Sequence, residues 1–303
     1  MEALGTEVFI ALFADDLKIA VAINSIDDTY KLQLAIDKLK SWCDTNDLHL
    51  NLNKCSVMSI SNKHASNIIV GDYHYGDHVF DRVTEQKDLG VIVDSRLNFN
   101  IHINMIINRA KSSLGFIKRF CYDIDNVDTL KVLYYALVQS VLEYCSAVWM
   151  PYHSVWIDAI ESIQKQFTMF ALREYPNESN NFHISPYEDR LERLNMIKLE
   201  RRRINSALLL FYDIINDIIP CPQVKTEIVR NTNPQNLRAS SVEMFRIQDA
   251  FLRLKKTSSI NQMCRIANIV SDLFKNSESR TNFKNQLTTS DALNIRLKDL
   301  IEH

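Results

Sequence analysis

The hydrophobic period of this chain changes near residue 98, and that change limits what each side of it can fold into. Before it, apolar residues fall in short β-branched or alternating runs; after it they recur every three or four positions. A period of two lines one face of a strand, and a period near 3.6 lines one stripe of a helix. The chain is therefore expected to be α+β, with a mixed part over residues 1–97 and a mainly α-helical part over residues 98–303. A length of 303 residues agrees with about two domains.

In the first part, Val8-Phe9-Ile10-Ala11-Leu12 and Leu17-Lys18-Ile19-Ala20-Val21-Ala22-Ile23 flank the tetrapeptide Phe13-Ala14-Asp15-Asp16. Both flanks read as strands, so residues 8–23 form a hairpin with two adjacent acids at or beside its turn. Ordinary hairpin turns use Asn-Gly or Asp-Gly, and this one contains no glycine. Two carboxylates about 5 Å apart repel by about 3 kcal/mol at an effective dielectric near 20. Exposure, proton uptake or a bound cation relieves that repulsion. Hard cations such as Mg²⁺ use one or two protein carboxylates together with substrate phosphates. The plainer reading is two Asp in a solvated turn.

Residues 28–46 read as a helix, with Leu32, Ile36, Leu39 and Cys43 on one face and Asp27 and Asp28 suited to its start. Leu48, Leu50 and Leu52 alternate with polar residues and predict a half-buried strand over 48–53. Short antiparallel strands are expected over 67–70, 78–83 and 89–93, the first two separated by turns at Gly71 and Gly76. In the second part, Ile103, Ile107, Ala110, Leu114 and Ile117 form one helical stripe. Further helices are expected over 127–149, 155–174 and 186–219, with loops at 176–181 and 231–234 and a helical tail.

Apolar residues make up 46% of the chain and charged residues 24%, which is globular rather than disordered composition. The net charge of -2 gives no global attraction for nucleic acid, so any such surface must be local. The six cysteines are widely spaced, without a Cys-x-x-Cys pair, which points to free thiols in a reducing, intracellular compartment rather than to a zinc site. No run is long enough to suggest a membrane span.

Phe13-Ala14-Asp15-Asp16 resembles the Tyr/Phe-Ala-Asp-Asp box of reverse transcriptases, and its surroundings resemble the non-LTR retrotransposon (LINE-type, jockey-like) branch. The resemblance continues in order through Trp42-Cys43, Leu50-Asn51-Leu52-Asn53-Lys54, Asp88-Leu89-Gly90-Val91, Leu142-Glu143-Tyr144, Ile163-Gln164, Arg201-Arg202-Arg203, Asp272-Leu273-Phe274 and Phe283-Lys284. It implies a partial palm, made of a β-hairpin, a helix and short antiparallel strands, followed by an α-helical thumb and C-terminal region. Asp15 would be a Mg²⁺ ligand with Asp16 beside it, and Phe13 would abut the primer–template end. Leu89 and Gly90 would lie in the primer grip. Lys54 matches the lysine that protonates departing pyrophosphate, although a lone lysine ending a strand is equally a solvated one. The implied partners are an RNA template, a DNA primer or target, and deoxynucleoside triphosphates, in the nucleus or cytoplasm. The family's other metal-binding Asp, its fingers and its nucleotide-positioning segment all precede the Asp-Asp box, and only twelve residues precede Phe13. One hairpin cannot hold two ions, so the expectation is a C-terminal fragment that does not polymerise alone.

Basic residues cluster at Arg109, Lys111, Lys118 and Arg119, at Lys198 with Arg201, Arg202 and Arg203, and at Arg253-Leu254-Lys255-Lys256. In the family, helices beyond the palm hold the duplex by its backbone, which local cationic faces can do without reading sequence. Tyr134, Tyr135, Trp149 and Trp156 lie in apolar helices and read as core. His102 and His153 read as structural polar residues. A non-catalytic nucleic-acid-binding or interaction protein, or a functionless relic of such an element, is the alternative.

Overall fold

The computed structural model describes residues 8–61, 67–174, 185–230, 244–246 and 258–289. The expected loops at 176–181 and 231–234 and the basic segment at 253–256 lie outside the described residues. The fold is α+β, and the chain divides into two compact units, Met1–Asn98 and Phe99–His303.

In the first unit, β1 (Val8–Phe13) and β2 (Asp16–Val21) pair antiparallel in continuous register from Val8↔Val21 to Phe13↔Asp16. Helix α1 (Ile26–Thr45) packs on both strands and buries Ala35, Ile36 and Cys43. Its cap is Ser25 rather than the expected Asp27 or Asp28. Asp28 sits at the third helical position and accepts from the backbone N–H of Asn24 and of Ser25, both at 2.9 Å. This is the acidic half of a capping box. The helix ends where Asp47 turns left-handed and the Leu48 N–H bonds back to the Cys43 carbonyl at 2.9 Å.

Several expected strands are absent or shifted. Residues 48–51 are irregular and Leu52–Lys54 is a short 3-10 turn, so the alternating leucines build no strand. Residues 68–70 are likewise irregular. The expected strand over 78–83 divides at Phe80. Its first piece, β5 (His78–Val79), pairs with β4 (His74–Tyr75) around Gly76, while its second, β6 (Asp81–Arg82), pairs parallel, not antiparallel, with β3 (Ser56–Val57). Leu89 does not begin a strand; it lies in the turn between β7 (Glu85–Asp88) and β8 (Val91–Asp94). Gly71 is no turn residue but a point of close approach, because a Cβ there would lie 3.0 Å from the Thr29 Cβ.

In the second unit, α2 (Asn100–Phe120) buries the expected stripe from Ile103 to Ile117. The single helix expected over 127–149 is broken. Helix α3 (Val127–Tyr134) widens into a π-helical turn at Tyr135–Gln139, continues as α4 (Ser140–Glu143), and stops before α5 (Ser146–Trp149). The break is held by Cys145 at φ 51° and by the Trp149 indole N–H, which bonds the Tyr144 carbonyl at 2.8 Å. Helix α6 (Ser154–Ala171) stacks Phe167 on Tyr134, with ring centres 4.1 Å apart. The helix expected over 186–219 is two, α7 (Tyr187–Arg193) and α8 (Leu199–Ile215), separated by left-handed Asn195. After α9 (Pro222–Glu227), β9 (Val229–Arg230) and β10 (Phe245–Arg246) pair antiparallel. Helices α10 (Ser259–Ile269), α11 (Ser271–Asn276) and α12 (Arg280–Thr289) complete an aromatic core with α8, in which Phe211, Tyr212, Phe245, Phe274 and Phe283 meet.

Candidate functional site

The Phe13–Asp16 pair closes a two-residue turn made of Ala14 and Asp15. Ala14 has φ 51°, a left-handed conformation that costs a non-glycine residue about 1–2 kcal/mol. Phe13, Asp15 and Asp16 are all exposed, Phe13 to 66%. Phe9, on the same face of β1 as Phe13, is exposed as well, and so is Leu12 on the other face. Among the described residues this sheet has two strands, so β1 keeps a free edge.

Two exposed neighbouring carboxylates supply two fixed ligands, whereas Mg²⁺ demands near-octahedral oxygen coordination. Among the described residues no group of three or more His, Cys, Asp or Glu side chains converges to hold a metal ion. Lys54, at the end of the 3-10 turn, is exposed. Among the described residues no hydrogen bond or ion pair links it to either acid.

A second strained turn accompanies the first. Leu89 and Gly90 join β7 to β8 with φ of 43° and 89°. Positive φ at both central residues is the hairpin geometry that suits Asn-Gly; Gly90 fits it and Leu89 is strained. Lys18 of β2 forms an ion pair with Asp88, the residue entering this turn. That pair is half-exposed, so its effect is on register between the hairpins more than on stability. Sequence reasoning did not single out Lys18. Its signal was a lone charge inside an apolar strand, opposite Ala11.

The cationic residues are distributed unevenly. Arg109, Lys111 and Arg119 are exposed on α2, and Lys118 is half-buried, its ammonium pKa lowered by burial. Arg109 and Lys111 are two residues apart, hence about 200° apart around the helix, and flank the buried stripe on opposite sides. Arg201, Arg202 and Arg203 do not form one solvated face. Arg201 Nη2 donates to the Leu287 carbonyl at 2.9 Å. Arg202 grips Glu143 through Nε at 2.5 Å and Nη2 at 3.0 Å, a bond that raises its pKa further. Arg203 is 2% exposed, and burial lowers its pKa despite the pull of Glu161, Glu200 and Glu143.

Beneath Arg203 lies a polar network that sequence reasoning missed. Glu161 accepts from the Tyr187 hydroxyl at 2.5 Å and from the backbone N–H groups of Leu199 and Glu200 at 3.2 and 3.3 Å. It therefore caps α8 from inside the core. Gln164 receives the Tyr134 hydroxyl at 3.0 Å and donates to Tyr187 and to the Ile197 carbonyl, both at 2.9 Å. Burial and the neighbouring Glu161 push the Tyr187 phenol far above its ordinary pKa. The signal was present in α6, where Ile157, Glu161, Gln164 and Thr168 share one helical face.

Tyr134 and Trp149 are core residues as expected, whereas Tyr135 is exposed and Trp156 only half-buried. His102 is buried edge-on against Trp149, with ring centres 5.4 Å apart, and burial lowers its pKa. His153 precedes α6 in the cap position without a side-chain capping bond.

No helix of the described residues is long and apolar enough to cross a membrane. No family model matches the chain, and no solved structure matches it. A Caenorhabditis elegans protein described only as uncharacterised is 29% identical over 138 residues, covering 46% of this chain and 67% of that protein.

Proposed function

We propose that this chain is the C-terminal part of a non-LTR retrotransposon reverse transcriptase, a partial palm followed by a helical thumb, and that it does not polymerise by itself. The observation that carries this reading is the pairing of two strained hairpin turns. Phe13-Ala14-Asp15-Asp16 and Asp88-Leu89-Gly90-Val91 belong to one unit and are tied together by Lys18–Asp88. In the complete polymerase, Asp15 and Asp16 would present carboxylates toward Mg²⁺ and the primer end, with the remaining ligands supplied by other segments. Phe9, Leu12 and Phe13 would be covered by further palm strands added at the free edge of β1.

The exposed cations of α2 support a second, non-catalytic reading in which the helical unit holds duplex by its phosphates. Arg109, Lys111 and Arg119 make no ion pair among the described residues and face solvent. Arg119 with either Arg109 or Lys111 gives two phosphate contacts and a salt slope of about -1.8, so affinity for an RNA–DNA duplex falls about twelvefold between 50 and 200 mM salt.

Primer extension on an RNA template with Mg²⁺ or Mn²⁺, run beside duplex binding at both salts, tests the two readings. No extension is expected, together with salt-sensitive binding that Asp15→Ala preserves and joint replacement of Arg109, Lys111 and Arg119 by Glu abolishes. Extension that disappears in Asp15→Ala would overturn the inactivity of the isolated chain. Absence of duplex binding at low salt would sink both readings of the helical unit.

A further inference from the structure

A cleft of about 360 Å³ opens in the second unit, among the ends of α4 and α5, the first half of α8 and the last turn of α12. Its size is at the lower end of pockets that take small organic ligands. Three of its lining residues, Ser146, Arg203 and Leu287, are almost fully buried, so the cleft reaches toward the core.

The charges lining it do not balance. Arg202 also lines the cleft, but its fork is occupied by Glu143, the only carboxylate in the lining among the described residues. Arg203 is different: Nη1 and Nη2 are buried and neither has a hydrogen-bond partner among the described residues. Glu161 and Glu200 act on it through space, yet neither supplies an acceptor to those two nitrogens. A buried guanidinium with idle donors is costly unless an anion completes it. Lys284 adds a second cation from α12 and makes no ion pair among the described residues. Asn205 lines the same cleft with its amide oxygen buried and unpartnered, and an amide can offer a ligand either a donor or an acceptor.

Among the lining residues, Arg202 and Glu143 cancel and Arg203 and Lys284 remain as two cations, Arg203 offset through space by Glu161 and Glu200 from outside the lining. A phosphomonoester carries about -1.5 to -2 at neutral pH and three strong acceptor oxygens, matching those two lining cations. The planar fork of arginine suits phosphate geometry, and lysine serves as a point charge beside it. Ser206 adds a hydroxyl donor, while Ile197, Leu209 and Leu287 line the cleft with apolar surface. We propose that this cleft binds a small phosphomonoester, its phosphate held by Arg203 and Lys284 and its organic part against Ile197, Leu209 and Leu287. The site is built wholly from the second unit and does not depend on the polymerase reading.

The probe is phenyl phosphate, titrated calorimetrically into the full chain at low salt, with benzyl alcohol as the uncharged comparison. Saturable one-site binding of phenyl phosphate alone is expected. Lys284→Glu, at an exposed position that spares the fold, should weaken it by about tenfold or more, because a repulsion replaces one charge-assisted hydrogen bond. Lys275→Glu makes the same charge change at an exposed position outside the cleft and should leave binding intact. Arg203→Met should abolish binding; if it unfolds the chain by circular dichroism, the Lys284 and Lys275 pair decides. Absence of saturable binding, or equal weakening in Lys284→Glu and Lys275→Glu, would overturn the proposal.

Discussion

Removing the Glu161 carboxylate should unlock the second unit more than any change on its surface. Glu161→Ala leaves the Tyr187 hydroxyl and two backbone N–H groups at the start of α8 without their acceptor. It also deprives buried Arg203 of the carboxylate that acts on it most strongly. Hydrogen bonds to a charged group contribute about 1.5–3 kcal/mol each, and the two backbone bonds, at 3.2 and 3.3 Å, belong at the weak end. Leaving a buried donor without its acceptor costs about 1–3 kcal/mol, and three donors lose theirs here, the Tyr187 hydroxyl most of all. The expected destabilisation is therefore about 3–5 kcal/mol, or roughly 6–20 °C in Tm for a unit of this size. Urea melts followed by far-ultraviolet circular dichroism would read it as a lower midpoint at unchanged slope. Glu161→Gln keeps one acceptor oxygen but turns an amide N–H toward Glu200, so about 1–3 kcal/mol is expected there. The double replacement Glu161→Leu with Arg203→Met removes both charges and should cost less than Glu161→Leu alone. A Glu161→Ala midpoint within about 1 kcal/mol of wild type, or strict additivity in the double variant, would refute the reasoning.

Two further outcomes follow from the first unit. The hydrogen bond from Lys31, with those from the Asn24 and Ser25 backbone, holds the Asp28 carboxyl well below the usual carboxylate range. A depressed folded pKa means the stabilisation is full above the unfolded value near 3.9 and fades as pH falls through the folded one; acid titration of Asp28→Asn should therefore show a shallower decline below about pH 4 than wild type, and identical acid limbs would refute it. Ala14→Gly relieves the left-handed turn at φ 51° but loosens the unfolded chain, for a net gain of about 0.5–1 kcal/mol; a lower urea midpoint for the first unit would contradict it.

What the sequence could reveal depended on whether the forces were local. The stripe of α2 and the first hairpin were legible because their own periodicity decides which face is buried. The leucines at 48, 50 and 52 have strand periodicity but no partner edge, and strand formation depends on cross-strand neighbours that alternation alone cannot supply. The helix breaks at Cys145 and Asn195 were hidden for a related reason. Neither is a glycine or a proline, and each is held by a bond beyond its own position: the Trp149 indole on the Tyr144 carbonyl, and the Met196 N–H on the Leu191 carbonyl at 2.8 Å. At the candidate site, the exposed acids of the first turn were readable as exposed, while the arginine triplet was misleading as a block. Consecutive helical residues point about 100° apart, so three of them span about 200° and cannot all meet one phosphate backbone. Leu199, Arg203, Ala207 and Phe211 repeat every four residues along the buried side of α8, and that register places Arg203 inside. Read by register, the triplet is one carbonyl clamp, one ion pair to Glu143 and one buried guanidinium. The buried donors of the last are those on which the proposed anion site rests, and the exposed cations of α2 are those on which the proposed duplex contact rests.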